Sequence, residues 1–294
     1  MIALLLTLAG LYGLIIGSFL NVVAYRVPAG ISLMRESRCP NCDSPIRWWQ
    51  NVPVVSWLAL RGRCAHCRAP ISARYPLVEA ITGVVFVLVT VWVLRQGSSV
   101  GSPRFVSLRS NDPVVGAGAD PAFWLALVAF LYFAAVSIVL TLIDLDTKRL
   151  PNVIVLPSIA VGIVLFAAAA AVGASTGSAT AWPTLLRAVA GAVILYAFYF
   201  IVRLVAQRGM GGGDVKLAAL VGLYLGWVGW ATLAVGAFAA FVLGGVFGVV
   251  LILLRRAKRK TAIPFGPWMI AGAWAGIAAG EPIGRWYVGM LGLS

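Results

Sequence analysis

Eight stretches of this chain are apolar enough to fold only inside a bilayer or against one another. Each holds roughly 20 mostly apolar residues, the length at which a helix crosses the ~30 Å hydrocarbon layer. They run over about 2–25, 77–95, 122–143, 153–173, 183–204, 214–230, 232–254 and 266–287. The sixth and seventh are parted only by Gly226-Trp227-Val228-Gly229-Trp230, and Glu281, Pro282 and Gly284 interrupt the eighth. With 61% hydrophobic and 11% charged residues among 294, and a mean hydropathy of +0.97, a soluble domain is excluded. The expected fold is an all-α polytopic membrane protein. Met1 to Leu20 lacks a basic n-region and a small-residue cleavage site, so it reads as a retained first helix.

The net charge of +14 is a statement about topology. Basic residues gather between alternate spans. Arg26, Arg35, Arg38, Arg47, Arg61, Arg63, Arg68 and Arg74 follow the first span, and Lys148 and Arg149 follow the third. Arg203, Arg208 and Lys216 flank the connection after the fifth, and Arg255, Arg256, Lys258, Arg259 and Lys260 follow the seventh. An eight-span path puts all of them on one side, which the positive-inside rule makes the cytoplasm, with both termini outside. Attraction to anionic lipid follows from the same charge, and nucleic acid is not an expected partner. The Gly/Ser-rich stretch 96–121 reads as a flexible connection on the opposite side. Ala167 to Ala171 and Gly244-Gly245 read as small-residue surfaces for close helix packing. No internal repeat is expected.

Two carboxylates stand out at the ends of apolar runs. Asp144 ends the third span in Leu142-Ile143-Asp144-Leu145-Asp146, and Asp214 opens the sixth after Gly211-Gly212-Gly213. Ionised groups at the edge of hydrocarbon are costly and mark functional sites by default. Charge counting alone puts Asp144, Asp146 and Asp214 at the same face. Two facing carboxylates can share one proton and activate water. The chain's one histidine, His66, lies far from them in sequence, which excludes a Ser-His-Asp triad and an HExxH zinc site.

The segment 26–76 carries the only four cysteines, as Cys39-Pro40-Asn41-Cys42 and Cys64-Ala65-His66-Cys67 with 21 residues between the pairs. Two such knuckles suit a closed, structural four-thiolate zinc site, with redox-active thiols as the competing reading. His66, inside the second knuckle, is a spare ligand at best. A small loop with few core residues gains from a metal staple.

These residues carry a resemblance. The chain is similar to the bacterial type IV prepilin peptidases, membrane aspartic proteases with a GxGD motif, over nearly its full length. Gly17-Ser18-Phe19-Leu20-Asn21-Val22-Val23 with Arg26-Val27-Pro28 resembles the family's N-terminal signature. Cys39 to Cys67, with Asn51-Val52-Pro53 and Ser56-Trp57-Leu58, resembles its cysteine domain, and Arg74-Tyr75-Pro76, Glu79 and Gly83 continue the match. Asp144 with Leu150-Pro151 and Gly211-Gly212-Gly213-Asp214 with Lys216 resemble the two catalytic motifs, and Pro264-Phe265-Gly266-Pro267 fits a late one.

The resemblance implies three parts: a first transmembrane helix (1–25), a cytoplasmic zinc-ribbon-like domain (26–76) and a membrane protease domain (77–294). It implies Asp144 and Asp214 as catalytic, with Asp146 as the competing position and Gly211, Gly213 and Lys216 as accessories. Cys39, Cys42, Cys64 and Cys67 become zinc ligands. The implied substrates are prepilin or pseudopilin precursors, cut before their hydrophobic helix at the cytoplasmic side of the inner membrane. S-adenosylmethionine is the implied donor for methylating the new N-terminus, and Glu79 is a candidate polar group for that step, against a plain role in compensating helix N-terminal charge. Helix ends give a further expectation: Asp214 starts a helix and Asp144 ends one, so the shared proton rests on Asp144. A proton- or ion-coupled transporter and a zinc-dependent assembly scaffold are the readings from other classes.

Overall fold

The computed structural model describes residues 2–96, 121–205, 211–255 and 264–292. The expected stretch 96–121 lies, beyond Gln96 and before Pro121, outside the described residues, as do Arg208 and the basic run after Arg255. Among the described residues there are eight long helices and no strand longer than a bridge. They are α1 (Ile2–Arg26), α3 (Arg74–Gln96), α4 (Pro121–Thr147), α5 (Asn152–Ser175), α6 (Ala181–Val205), α7 (Gly212–Val228), α8 (Trp230–Leu253) and α9 (Gly266–Met290). The short α2 (Val55–Ala59) and a 3-10 turn (Trp48–Asn51) lie between α1 and α3. Each long helix falls on one of the eight expected spans. Six are long and apolar enough to cross a membrane; α7, with 17 mostly buried residues, and α9 are not among the six.

The described chain divides into two compact units, residues 1–91 with 134–142, and 92–133 with 143–294. In the first, α1 and α3 run antiparallel in backbone contact. A Cβ on Gly13 would stand 2.8 Å from the Cα of Gly83, and one on Gly17 would stand 2.7 Å from the Cα of Glu79. Farther along, Asn21 Nδ2 donates to the Tyr75 carbonyl at 3.1 Å. Gly17, Asn21 and Gly83, read above as signature residues, are thus a helix–helix seam. Buried Arg26 then turns its guanidinium on the carbonyls of Ser32, Leu33, Arg35 and Glu36, and so shapes the start of the loop.

The second unit uses the same device twice. Gly191 of α6 and Gly222 of α7 meet so closely that a Cβ on Gly191 would lie 2.5 Å from the Gly222 carbonyl oxygen, and Gly226 meets Ala188 one turn on. Along α8 and α9, Thr232, Gly236 and Ala240 face Gly280, Gly276 and Gly272 at four-residue spacing. Small residues let backbones approach where lipid supplies no hydrophobic drive between helices. Of the surfaces expected above, Ala169 and Ala170 are buried and Gly244 packs against Phe265 and Trp268, whereas Gly245 meets nothing within 4 Å. Phe166 fills the centre, stacked on Trp227 with centroids 4.2 Å apart and set edge-on to Tyr224 at 5.0 Å. The C-terminal carbonyls of α7 are capped by Arg187 of α6, whose Nε donates to Gly226 at 2.7 Å and Nη2 to Trp227 at 2.7 Å and Val228 at 3.2 Å.

An internal repeat, not expected from the sequence, is present in the cysteine loop. Arg38-Cys39-Pro40-Asn41-Cys42-Asp43-Ser44-Pro45-Ile46 and Arg63-Cys64-Ala65-His66-Cys67-Arg68-Ala69-Pro70-Ile71 share a pattern and a conformation. Each closes with an antiparallel bridge from its arginine to its proline. Asp43 and Arg68 occupy the same left-handed position, at φ 51° and 60°.

Packing this tight predicts a selective cost. Gly222→Val forces α7 off α6, at about 1–3 kcal/mol for overpacking, and lowers the unfolding midpoint in detergent by roughly 2–10 °C. Gly245→Ala, in open space, leaves the midpoint unchanged.

Candidate active site and metal cradle

Asp144 lies in the last turn of α4, which stops because Lys148 takes a left-handed conformation at φ 53° while its N–H closes on the Asp144 carbonyl at 2.8 Å. The chain then passes Leu150 to Pro151, whose carbonyl accepts the first amides of α5. Asp144 is buried, 4% exposed, whereas Asp146 is exposed at the helix end. The backbone N–H of Gly266, first residue of α9, donates to Asp144 Oδ2 at 3.1 Å.

Asp214 has a matching arrangement. It is the third residue of α7 and reaches back, so that the Gly211 N–H donates to its Oδ2 at 3.0 Å. Asp144 and the buried Tyr199 of α6 both lie within electrostatic reach of Asp214. Two carboxylates from different helices are therefore electrostatically coupled, each held by one glycine amide at a helix N-terminus. Leu150 lies between the starts of α7 and α9: a Cβ on Gly213 would lie 2.8 Å from Leu150 Cβ, and one on Gly266 would lie 3.5 Å from Leu150 Cδ1. The Gly213 position therefore has no room for a side chain.

The helix-end argument that rests the shared proton on Asp144 counted only the negative end of α4, and this geometry adds a second helix end to the balance. Asp144 ends α4, but the positive end of α9 also faces it through Gly266, so both carboxylates meet a helix N-terminus.

Around the pair, Lys216 Nζ donates to Asn152 Oδ1 at 2.9 Å and ties α7 to the start of α5. The Arg203 guanidinium of α6 lies against Gly212. Sequence reading named Lys216, Gly211 and Gly213 but passed over Tyr199, Asn152 and the placement of Arg203. Tyr199 and Arg203 sit one turn apart on α6, and that i, i+4 pair of polar tips at the end of an apolar helix was the available signal.

The four cysteines converge. Their Sγ atoms all lie within 4.8 Å of one another, and Cys39 and Cys67 are 3.9 Å apart. A tetrahedral zinc with bonds of ~2.3 Å needs sulfurs roughly 3.8 Å apart, so the donor set and spacing fit. Backbone amides are turned on the sulfurs, as in the Cys64 Sγ that accepts from the His66 N–H at 3.5 Å. The Ser44 hydroxyl and amide hold the Cys42 thiol below its usual range, the amides of Cys67 and His66 do so for Cys64, and the Ala69 amide and Asn41 side chain for Cys67. Cys39, despite the amides of Asn41 and Cys42, is pushed up by burial and by its neighbouring thiols. Three acidic thiols favour metal ligation. His66 is exposed at the tip of its knuckle and supplies only this amide.

Glu79 was expected either at a methylation site or as a helix-end charge. It is buried in the second turn of α3, and its Oε2 accepts the Val54 N–H at 2.7 Å. Its described role is to fasten the cysteine loop to α3.

These features define a class: a polytopic helical membrane protein with a coupled aspartate pair and a four-thiolate metal cradle. Family models match in both parts, the bacterial peptidase A24 N-terminal domain over residues 11–93 and the type IV leader peptidase family over residues 131–249. The chain belongs to the type IV leader peptidase family. Relatives named prepilin leader peptidase/N-methyltransferase include those of Aeromonas hydrophila (34% identical, covering 96% of this chain and 93% of the relative), Pseudomonas putida (35%, 96% and 93%) and Neisseria gonorrhoeae (34%, 95% and 92%). No solved structure matches the chain.

The cradle predicts one zinc per chain, read by mass spectrometry of metal content on protein purified without added metal. Cys64→Ser removes it. Acidification also releases it, because protons compete for the thiolates. A protein that holds no metal while its thiols remain reduced and titratable would contradict the assignment.

Proposed function

We propose that this chain is a membrane-embedded aspartic endopeptidase that removes the leader from prepilins or pseudopilins and then methylates the new N-terminus. The placement of Asp144 and Asp214 at helix ends that meet beside Leu150, each held by a glycine amide, is the observation that carries this reading. Family membership and the names of the relatives support the substrate class and both activities.

In the proposed reaction the pair holds a water. One carboxylate, ionised, takes the water's proton as oxygen attacks the scissile carbonyl. The other, protonated, donates to the carbonyl oxygen. The tetrahedral intermediate collapses as the proton passes to the leaving amine. The Gly211 and Gly266 amides keep the reacting carboxylates in place throughout, which is the positioning such chemistry needs.

The cleavage point is proposed at the cytoplasmic face of the inner membrane, with both termini outside. The crowd of basic residues on that side supports this. A short basic leader followed by an apolar helix would then reach the pair with its helix still in the bilayer. Both carboxylates lie at helix ends and not at mid-span, which favours peptidase over ion relay.

Zinc in the cradle would staple the loop between α1 and α3, with Cys39, Cys42, Cys64 and Cys67 as its ligands. S-adenosylmethionine supplies the methyl group when bound. One oxygen of Glu79 is already engaged by Val54, so no step is assigned to that residue.

The test is a processing assay on purified protein with candidate prepilins, read by product mass. Asp144→Asn and Asp214→Asn each lower turnover by about 10³-fold or more, and Asp146→Asn retains it. Gly213→Ala, which collides with Leu150, loses activity while keeping its zinc. With S-adenosylmethionine present, the mature product carries one methyl group in place of an amine hydrogen, a net gain of one CH2. Full cleavage by either the 144 or the 214 variant would overturn the dyad.

A further inference from the structure

We propose that the cysteine loop carries a phospholipid-docking face, built from Trp48, Trp49, Val55 and Leu58 with Arg47 and Arg61, that sits on anionic headgroups of the bilayer α1 and α3 span. The 3-10 turn Trp48–Asn51 and α2 bury none of their residues. Trp48 is 79% exposed, and Val55 and Leu58 are 62% exposed each, three residues apart on one side of α2. Such a cluster in water would be unfavourable.

The depth of this face is fixed by the chain. Glu79 lies five residues into α3, roughly 8 Å along its axis, and its carboxylate holds the Val54 N–H at the start of α2. Val54 is branched at Cβ yet sits at φ 61°, a conformation its surroundings must enforce. Trp57, next to the exposed pair, is turned inward and donates from Nε1 to the Ile71 carbonyl at 3.1 Å. Val55 and Leu58 are therefore held where α3 enters the hydrocarbon, the level at which tryptophans concentrate in membrane proteins.

Charge selects the headgroup. Between α1 and α3 the loop has six arginines against Glu36 and Asp43. Arg47 lies over the Trp49 ring, 5.1 Å from its centroid. An aromatic inserted at headgroup level with a guanidinium on its face matches a phosphate above and acyl chains below. A protein partner would be the rival occupant, but the tether to α3 already sets the face against the bilayer.

The experiment places p-benzoylphenylalanine at Leu58 of the full-length, zinc-loaded protein in nanodiscs with equal phosphatidylglycerol and phosphatidylcholine. Irradiation should give phospholipid adducts, with phosphatidylglycerol favoured about threefold or more. Arg47→Ser with Arg61→Ser should bring the ratio to one while the metal content stays at one zinc per chain. Adducts to peptides of the chain or to added prepilin, or no adduct at all, would overturn the docking face. Equal labelling of the two lipids by the unsubstituted loop would overturn the anionic assignment.

Discussion

Backbone-to-backbone contact between helices is the constraint on which this structure rests. In hydrocarbon an apolar side chain gains little by leaving lipid for protein, so packing distance has to supply what burial supplies in water. The seams through Gly13, Gly17 and Gly83, through Gly191, Gly222 and Gly226, and through Gly236, Gly272 and Gly276 are where that distance is shortest. The site inherits its geometry from them. Helix α7 is enclosed along most of its length, so Asp214 at its start has a fixed position. Helix α9 is aligned along α8, and its first amide is thereby aimed at Asp144.

The eight long helices were legible because each is a long apolar run, a property local to the sequence, and six of them have the length and hydropathy to cross a bilayer. The aspartates were legible for the complementary reason: a carboxylate at the end of such a run has no bland explanation. The four thiols were legible from spacing. Helix order around the bundle was not, since every span is apolar on nearly all sides and none announces its neighbour. The Gly266 amide on Asp144, the Arg203 guanidinium at Gly212 and the Leu150 wedge against Gly213 all depend on that order. They lay beyond reach although each residue type was in view. The dipole argument was incomplete for the same reason: it counted the helix that Asp144 ends and could not count the one that points at it.

The paired knuckles are a different kind of omission. Arginine, two cysteines, proline and isoleucine recur in the same order, and the signal was present in plain residues. The doubled left-handed positions at Asp43 and Arg68 give it physical content, because each knuckle must reverse the chain in the same way to aim two sulfurs inward. Symmetry of this kind lets one short turn geometry satisfy a tetrahedral demand twice. Glu79 shows the converse case: its residue type suggested chemistry, and its burial with the Val54 amide shows anchoring.

Helices α7 and α8 are joined through a single extended residue, Gly229, with the Arg187 guanidinium on the carbonyls before it and the Glu281 carboxylate against it. That end of the unit has almost no slack. The carboxylate end is different, since four linking residues separate the end of α4 from the start of α5. The ~25 Å of α7 is a strut between these ends: its capped end and its backbone seam with α6 are fixed, so whatever room a peptide needs beside the carboxylates has to come from the link between α4 and α5.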